Sequence, residues 1–274
     1  MLTSFSSKPN IINNLHFLHG NSMTPESYVN LLNQFTDNFN IKCSVLRPLC
    51  KNNKFINFNN WDIFLNDYLD SIKNEKDIVG VGHSIGGNLL LKAAICYPEK
   101  FKKIFLLDPT FFTPMTIYAW KLISFFNLQS RFLPYIKRAQ NKKMEYKNLE
   151  QMYQSYRKYK VFSNFSNDDL KGFIKSLVIE QNDSYRLVFD RLWDTHIYKT
   201  GLVNDMLIWK NIRNFNIECY ILQAEYSDTF LNKTKKKVKK LNSSIKILTI
   251  KNSDHLFPIN NYQETTEILK KYIF

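Results

Sequence analysis

The chain has 274 residues, 44% hydrophobic and 23% charged, enough to bury a large core as one domain with an insertion. Its 38 Lys and Arg against 24 Asp and Glu give a net charge of +14. No apolar run reaches the ~20 residues of a membrane span, which argues against stable membrane insertion. Met1 to Asn10 lack the basic-then-apolar pattern of a secretory signal, and no nucleic-acid motif accompanies the charge. Cys43, Cys50, Cys96 and Cys219 are scattered, with no C-x-x-C and no histidine at metal-ligand spacing. They read as reduced thiols of a cytoplasmic protein with no bound metal.

In chain order, Leu15 to Leu18 is an apolar strand that ends at His19-Gly20. Pro25 to Phe39 reads as a helix with Thr24 as its cap, and Tyr28, Leu31, Leu32 and Phe35 on one face. A strand over Ile41 to Leu49 follows, then a helix over Asn60 to Ile72. Asp77 to Gly82 is a strand, Ser84 to Tyr97 the helix behind it, and Phe101 to Leu107 a further strand closing at Asp108-Pro109. Strands alternating with helices predict an α/β protein with a mostly parallel, doubly wound sheet. From Thr110 to about Asp205 the alternation stops, and aromatic-rich helical stretches replace it. The expected organisation is a core of residues 1–109 and 206–274, interrupted by a helical cap at 110–205. Alternation then resumes with a strand over Ile217 to Leu222, a basic helix from Thr229 to Leu241, a strand over Ile245 to Ile250 and a last helix over Tyr262 to Tyr272. The run Lys233 to Lys240 reads first as a solvated helix face, and second as a dock for an acidic partner.

The most specific signal is Gly82-His83-Ser84-Ile85-Gly86-Gly87, an apolar strand passing through G-x-S-x-G into a helix. This is the pattern of a nucleophile elbow, with the serine on a strained turn and no Cβ where strand and helix crowd it. A serine hydroxyl needs a base, and the base needs a carboxylate to fix its tautomer. Of the five histidines, His16 lies within a strand, His19 in a turn, His83 inside the elbow and His196 in the insertion. His255, just after the last strand, lies at the carboxyl edge of the sheet with Ser84 and is the candidate base. The candidate acid is Asp228, in the loop after the strand ending at Leu222, with Glu225 its competitor. Asp108 is a third option that requires a different topology. The oxyanion donors are the backbone N–H of Ile85 and that of Asn21, with Ser22 second to Asn21.

These motifs, with His19-Gly20-Asn21 and Asp254-His255-Leu256-Phe257-Pro258, resemble the α/β-hydrolase fold superfamily over nearly the whole chain. The resemblance is to serine hydrolases with a G-H-S-x-G-G elbow and a helical cap. It implies a Ser-His-Asp enzyme without metal or organic cofactor, and about six strands, because the N-terminus is short for the superfamily's first two. Ala224 departs from the glycine that many relatives carry before the acid loop. Serine at the elbow points away from haloalkane dehalogenases and epoxide hydrolases, which use aspartate there, and toward esters, thioesters or amides. Carbon–carbon hydrolases and cofactor-free lyases also keep the serine.

The expected function is therefore cleavage of an ester or thioester of a small apolar acyl substrate through an acyl-enzyme at Ser84, as in a carboxylesterase or thioesterase. The aromatic insertion fits an apolar substrate, and equally fits simple packing of the cap onto the sheet. The rival readings are an acyl hydrolase docked on a carrier protein or membrane surface, and a non-catalytic binding protein on the same fold.

Overall fold

The computed structural model describes residues 1–50, 54–203 and 205–274. Its centre is a seven-stranded sheet in the order β1-β3-β2-β4-β5-β9-β10. The strands are β1 (Leu2–Ser6), β2 (Asn14–Leu18), β3 (Asn40–Ser44), β4 (Ile78–His83) and β5 (Phe101–Leu107), then β9 (Glu218–Ala224) and β10 (Lys246–Ile250). All neighbours are parallel except β1 on β3. The strand beyond the expected six is β1. None of its residues is fully buried and no alternation marks it, in a Ser- and Thr-rich segment at the sheet edge. The central strands β4 and β5 are nearly continuous apolar runs because helices cover both faces.

Two helices matter most for the site. Helix α1 (Asp62–Ser71) buries Phe64, Leu65 and Tyr68, and helix α2 (Ile85–Cys96) springs directly from β4. The expected helix from Pro25 is instead three short pieces, the α-helical turn Val29–Leu32 between two 3-10 turns.

Between β5 and β9 the chain is helical, as α3 (Pro114–Phe125), α4 (Pro134–Gln140), α5 (Leu149–Arg157), α6 (Asn167–Ser176) and α7 (Arg191–Thr200). It also holds a three-stranded antiparallel sheet of β6 (Glu145–Tyr146), β8 (Ser184–Leu187) and β7 (Val178–Gln181). The β7–β8 hairpin turns on Asn182 and Asp183, both at positive φ (48° and 55°). Two left-handed residues match the twist of a tight hairpin, which is why Asn and Asp stand there.

Both ends of this segment are fastened to α2. Asn88 Nδ2 donates to the Thr110 carbonyl at 2.7 Å and to Asp205 Oδ1 at 2.7 Å. Asp205 also accepts from the Phe112 N–H at 3.2 Å and lies 3.6 Å from Lys92 Nζ. Lys92 and Asp205 are both buried, so each charge depends on the other. Removing one leaves an uncompensated charge in the core, at a cost of about 3–5 kcal/mol. Asp205→Ala is expected to lower stability by that amount in chemical denaturation, whereas Asp183→Ala, at an exposed turn, costs about 1–2 kcal/mol, the preference of its left-handed backbone.

After β9, helix α8 (Asn232–Leu241) buries Thr234 and Val238 and leaves most of its lysines in solvent, as the charge run suggested. Helix α9 (Tyr262–Ile273) closes the chain against the other face.

Candidate active site

Ser84 sits between β4 and α2 at φ 56°, ψ −119°, a conformation unfavourable for any side chain. Backbone crowding holds it there. A Cβ on Gly86 would stand 2.1 Å from the Leu18 carbonyl oxygen, and one on Gly82 would stand 2.6 Å from the Gly86 carbonyl oxygen. The Ser84 N–H continues the β5 ladder to the Leu107 carbonyl at 3.0 Å, so the strain is confined to one residue. The hydroxyl, at the first turn of α2, faces Thr110 Oγ1 at 3.1 Å and His255 Nε2 at 2.9 Å.

His255 follows β10, two strands beyond β5 in the sheet, and its loop folds back over the carboxyl edge. Its main chain is pinned by His83, whose Nε2 donates to the His255 carbonyl at 2.8 Å. His83 Nδ1 then accepts from the Tyr28 hydroxyl at 2.7 Å, and that hydroxyl accepts from the Gly20 N–H at 3.0 Å. Burial and the nearby His255 ring push the His83 pKa well down, which keeps it neutral.

The structure brings Ser84 and His255 together, but the carboxylate on His255 Nδ1 is Asp108, at 2.7 Å, and neither Asp228 nor Glu225. Asp108 is fully buried, directly after β5. It also accepts from the Ala224 N–H at 3.0 Å, Ser227 Oγ at 2.9 Å and Thr229 Oγ1 at 3.0 Å. The loop after β9 therefore supplies donors to the acid rather than the acid itself. Asp228 is exposed and accepts from the Tyr135 hydroxyl. Glu225 braces the next turn, accepting from the Asn252 N–H at 2.7 Å. Asp108 holds φ 41°, which turns its side chain back over the sheet edge. The signal that could have found it is a carboxylate at the carboxyl end of the strand beside the elbow strand.

Burial works to lower the His255 pKa, but the Asp108 hydrogen bond and charge outweigh it and leave it raised above 6.5. With Nδ1–H donated to Asp108, Nε2 is free to accept the Ser84 proton. Because its folded pKa is raised, the pair stabilises the fold fully below the unfolded value of about 6.5. That contribution is lost as pH rises through the folded value.

The loop after β2 carries the other expected residues. His19 Nδ1 donates to the Gly20 carbonyl at 2.8 Å, and Nε2 accepts from the Leu46 N–H at 3.2 Å. Burial lowers its pKa to about 4, so it is a neutral brace. Asn21 Nδ2 donates to buried Asp194 at 2.7 Å, and Asp194 pairs with Lys142 at 2.7 Å. Ser22 stands at φ 60° and accepts from Lys142 at 3.3 Å. The segment between β5 and β9 thus fixes the Asn21 loop through one ion pair, buried at Asp194 and half-buried at Lys142. Ile85 is the first residue of α2, so its N–H has no intrahelical acceptor. His16 and His196 are bound within the structure, against Tyr68 and the Phe58 carbonyl. Among the described residues no His/Cys/Asp/Glu cluster could hold a metal ion, and all four cysteines are free thiols.

No protein-family model and no curated protein sequence matches the chain. Solved structures do. The chain is similar to an E-2-(acetamidomethylene)succinate hydrolase at 15% identity and TM-score 0.77, over 99% of this chain and 94% of that one. It is similar to the thioesterase domain from the curacin biosynthetic pathway at 13% identity and TM-score 0.71, over 98% and 94%. MenH from S. aureus aligns at 17% identity and TM-score 0.70, over 99% and 97%. The chain has the α/β-hydrolase fold.

The geometry separates the carboxylates by experiment. Asp108→Asn is expected to lower kcat by roughly 10³–10⁴. Asp228→Asn is expected to leave kcat within a few-fold, and steady-state kinetics on a chromogenic ester compares them.

Proposed function

We propose that the protein is a serine hydrolase that cleaves an ester or thioester of a small apolar acyl substrate through an acyl-enzyme. The observation that carries this reading is the continuous contact from Ser84 Oγ to His255 Nε2, and from His255 Nδ1 to Asp108. In this mechanism His255 takes the Ser84 proton as Oγ attacks the acyl carbonyl. Asp108 holds the imidazole tautomer and stabilises the imidazolium that forms. The backbone N–H groups of Ile85 and Asn21 receive the oxyanion, and the N-terminal end of α2 adds its positive potential. His255 then returns the proton to the leaving group, and water repeats the sequence to free the acid. No step calls for a metal or organic cofactor. The similar structures include a hydrolase and a thioesterase domain, which agrees with this chemistry.

A fluorophosphonate probe is expected to label Ser84 and no other residue, and Ser84→Ala to abolish both labelling and hydrolysis of p-nitrophenyl esters. Labelling that survives in Ser84→Ala contradicts the reading. The acid limb of the kcat/KM profile should lie above pH 6.5, because His255 must be neutral to act and its pKa is raised. In Asp108→Asn the limb should move to lower pH as the carboxylate's charge is lost.

A further inference from the structure

The large apolar residues between β5 and β9 range from buried to fully exposed. Phe111, Trp120 and Trp193 are buried in the core, whereas a second set stands in solvent. Met115, Tyr118, Leu122 and Phe125 recur at helical spacing along one side of α3, opposite buried Ile117 and Trp120, and exposed Phe126 and Phe132 follow. Phe125 is 78% exposed and Met115 79%. Helix α3 is thus apolar on both sides, with one side unpartnered.

The charge around it is mostly positive, although exposed Asp228 accepts from the Tyr135 hydroxyl and Asp194 pairs with Lys142. Residues 109–144 contain no Asp or Glu but six Lys or Arg, and residues 229–253 contain no Asp or Glu but eight Lys. The fold joins these two acid-free stretches at an open groove of about 570 Å³ lined by Pro114, Met115, Tyr118, Lys233 and Lys237. Lys121, Arg131, Lys137 and Arg138 are also exposed in the same stretch as the apolar stripe.

We propose that this face is a peripheral docking surface for an anionic lipid bilayer. Protruding Phe, Leu and Met on one side of a helix, flanked by Lys and Arg, have the chemistry of an element lying in the headgroup region. The apolar side chains enter the acyl boundary, and the lysines meet anionic headgroups. A second copy of this chain fits poorly, because self-pairing would set cationic rim against cationic rim. Nucleic acid would satisfy the lysines but leave the apolar stripe in water. The proposal does not depend on the reaction assigned to Ser84.

The test is co-sedimentation of the full chain with vesicles of phosphatidylserine mixed into phosphatidylcholine, against phosphatidylcholine alone. Wild type is expected to bind the anionic vesicles, more weakly as salt rises, and to show little binding to the neutral ones. Phe125→Ser/Phe126→Ser is expected to weaken binding about tenfold or more. Lys233→Glu/Lys237→Glu should weaken it by a similar factor. All four positions are exposed, so both variants should retain the wild-type melting temperature and hydrolysis of a soluble ester. Ser84→Ala should bind vesicles as wild type does, which separates this inference from the proposed reaction. Failure of wild type to bind, or equal binding by Phe125→Ser/Phe126→Ser, would overturn the proposal. So would self-association in light scattering that the Phe pair abolishes while vesicles leave it unchanged.

Discussion

The arrangement depends on one steric constraint, the contact between the backbone of α2 and the end of β2. Gly86 packs so close to the Leu18 carbonyl that a single added carbon would lie at 2.1 Å. That contact sets the angle at which α2 leaves β4, and with it the left-handed backbone of Ser84. The strain costs of order 1–3 kcal/mol and persists only because the surrounding packing over-determines it. Its consequence is that the hydroxyl stands clear of the sheet edge, where the loops after β2, β5, β9 and β10 can reach it.

Around that hydroxyl the polar groups form one connected system. Tyr28 links the Gly20 N–H to His83, and His83 holds the main chain of His255. The loop that carries Asn21 and the loop that carries His255 are therefore positioned by the same pair of neutral side chains. On the other side, Asp108 gathers four donors from the β9 and β10 loops. The buried pair Lys92–Asp205 and the half-buried pair Lys142–Asp194 fasten the segment between β5 and β9 to the core and to the Asn21 loop. Buried ion pairs add little net stability, but they are costly to break singly, which favours one docking of this segment over others.

Much of this was legible in the sequence, and the exceptions have physical causes. The elbow is readable because its glycines are dictated by backbone contacts, which side-chain variation cannot replace. His255 is readable because only one histidine follows a late strand. The carboxylate is not, because Asp108 and Asp228 both end or follow strands on the same sheet edge. Sequence order favours Asp228, whereas the loop after β9 instead turns Ser227 and Thr229 toward Asp108. Strand β1 escaped because edge pairing needs only a row of backbone groups and little apolar burial. The β7–β8 hairpin escaped although Asn182-Asp183 is a two-residue turn signal, since its strands are only four residues long and β7 is mostly exposed.

The pairing of His255 with Asp108 can be observed without turnover, through the proton NMR signal of the His255 Nδ1–H. A strongly hydrogen-bonded imidazole proton resonates far downfield of the amide region. Such a signal is expected in wild type and in Asp228→Asn, and its loss in Asp108→Asn. A signal that survives in Asp108→Asn but vanishes in Asp228→Asn would contradict that pairing.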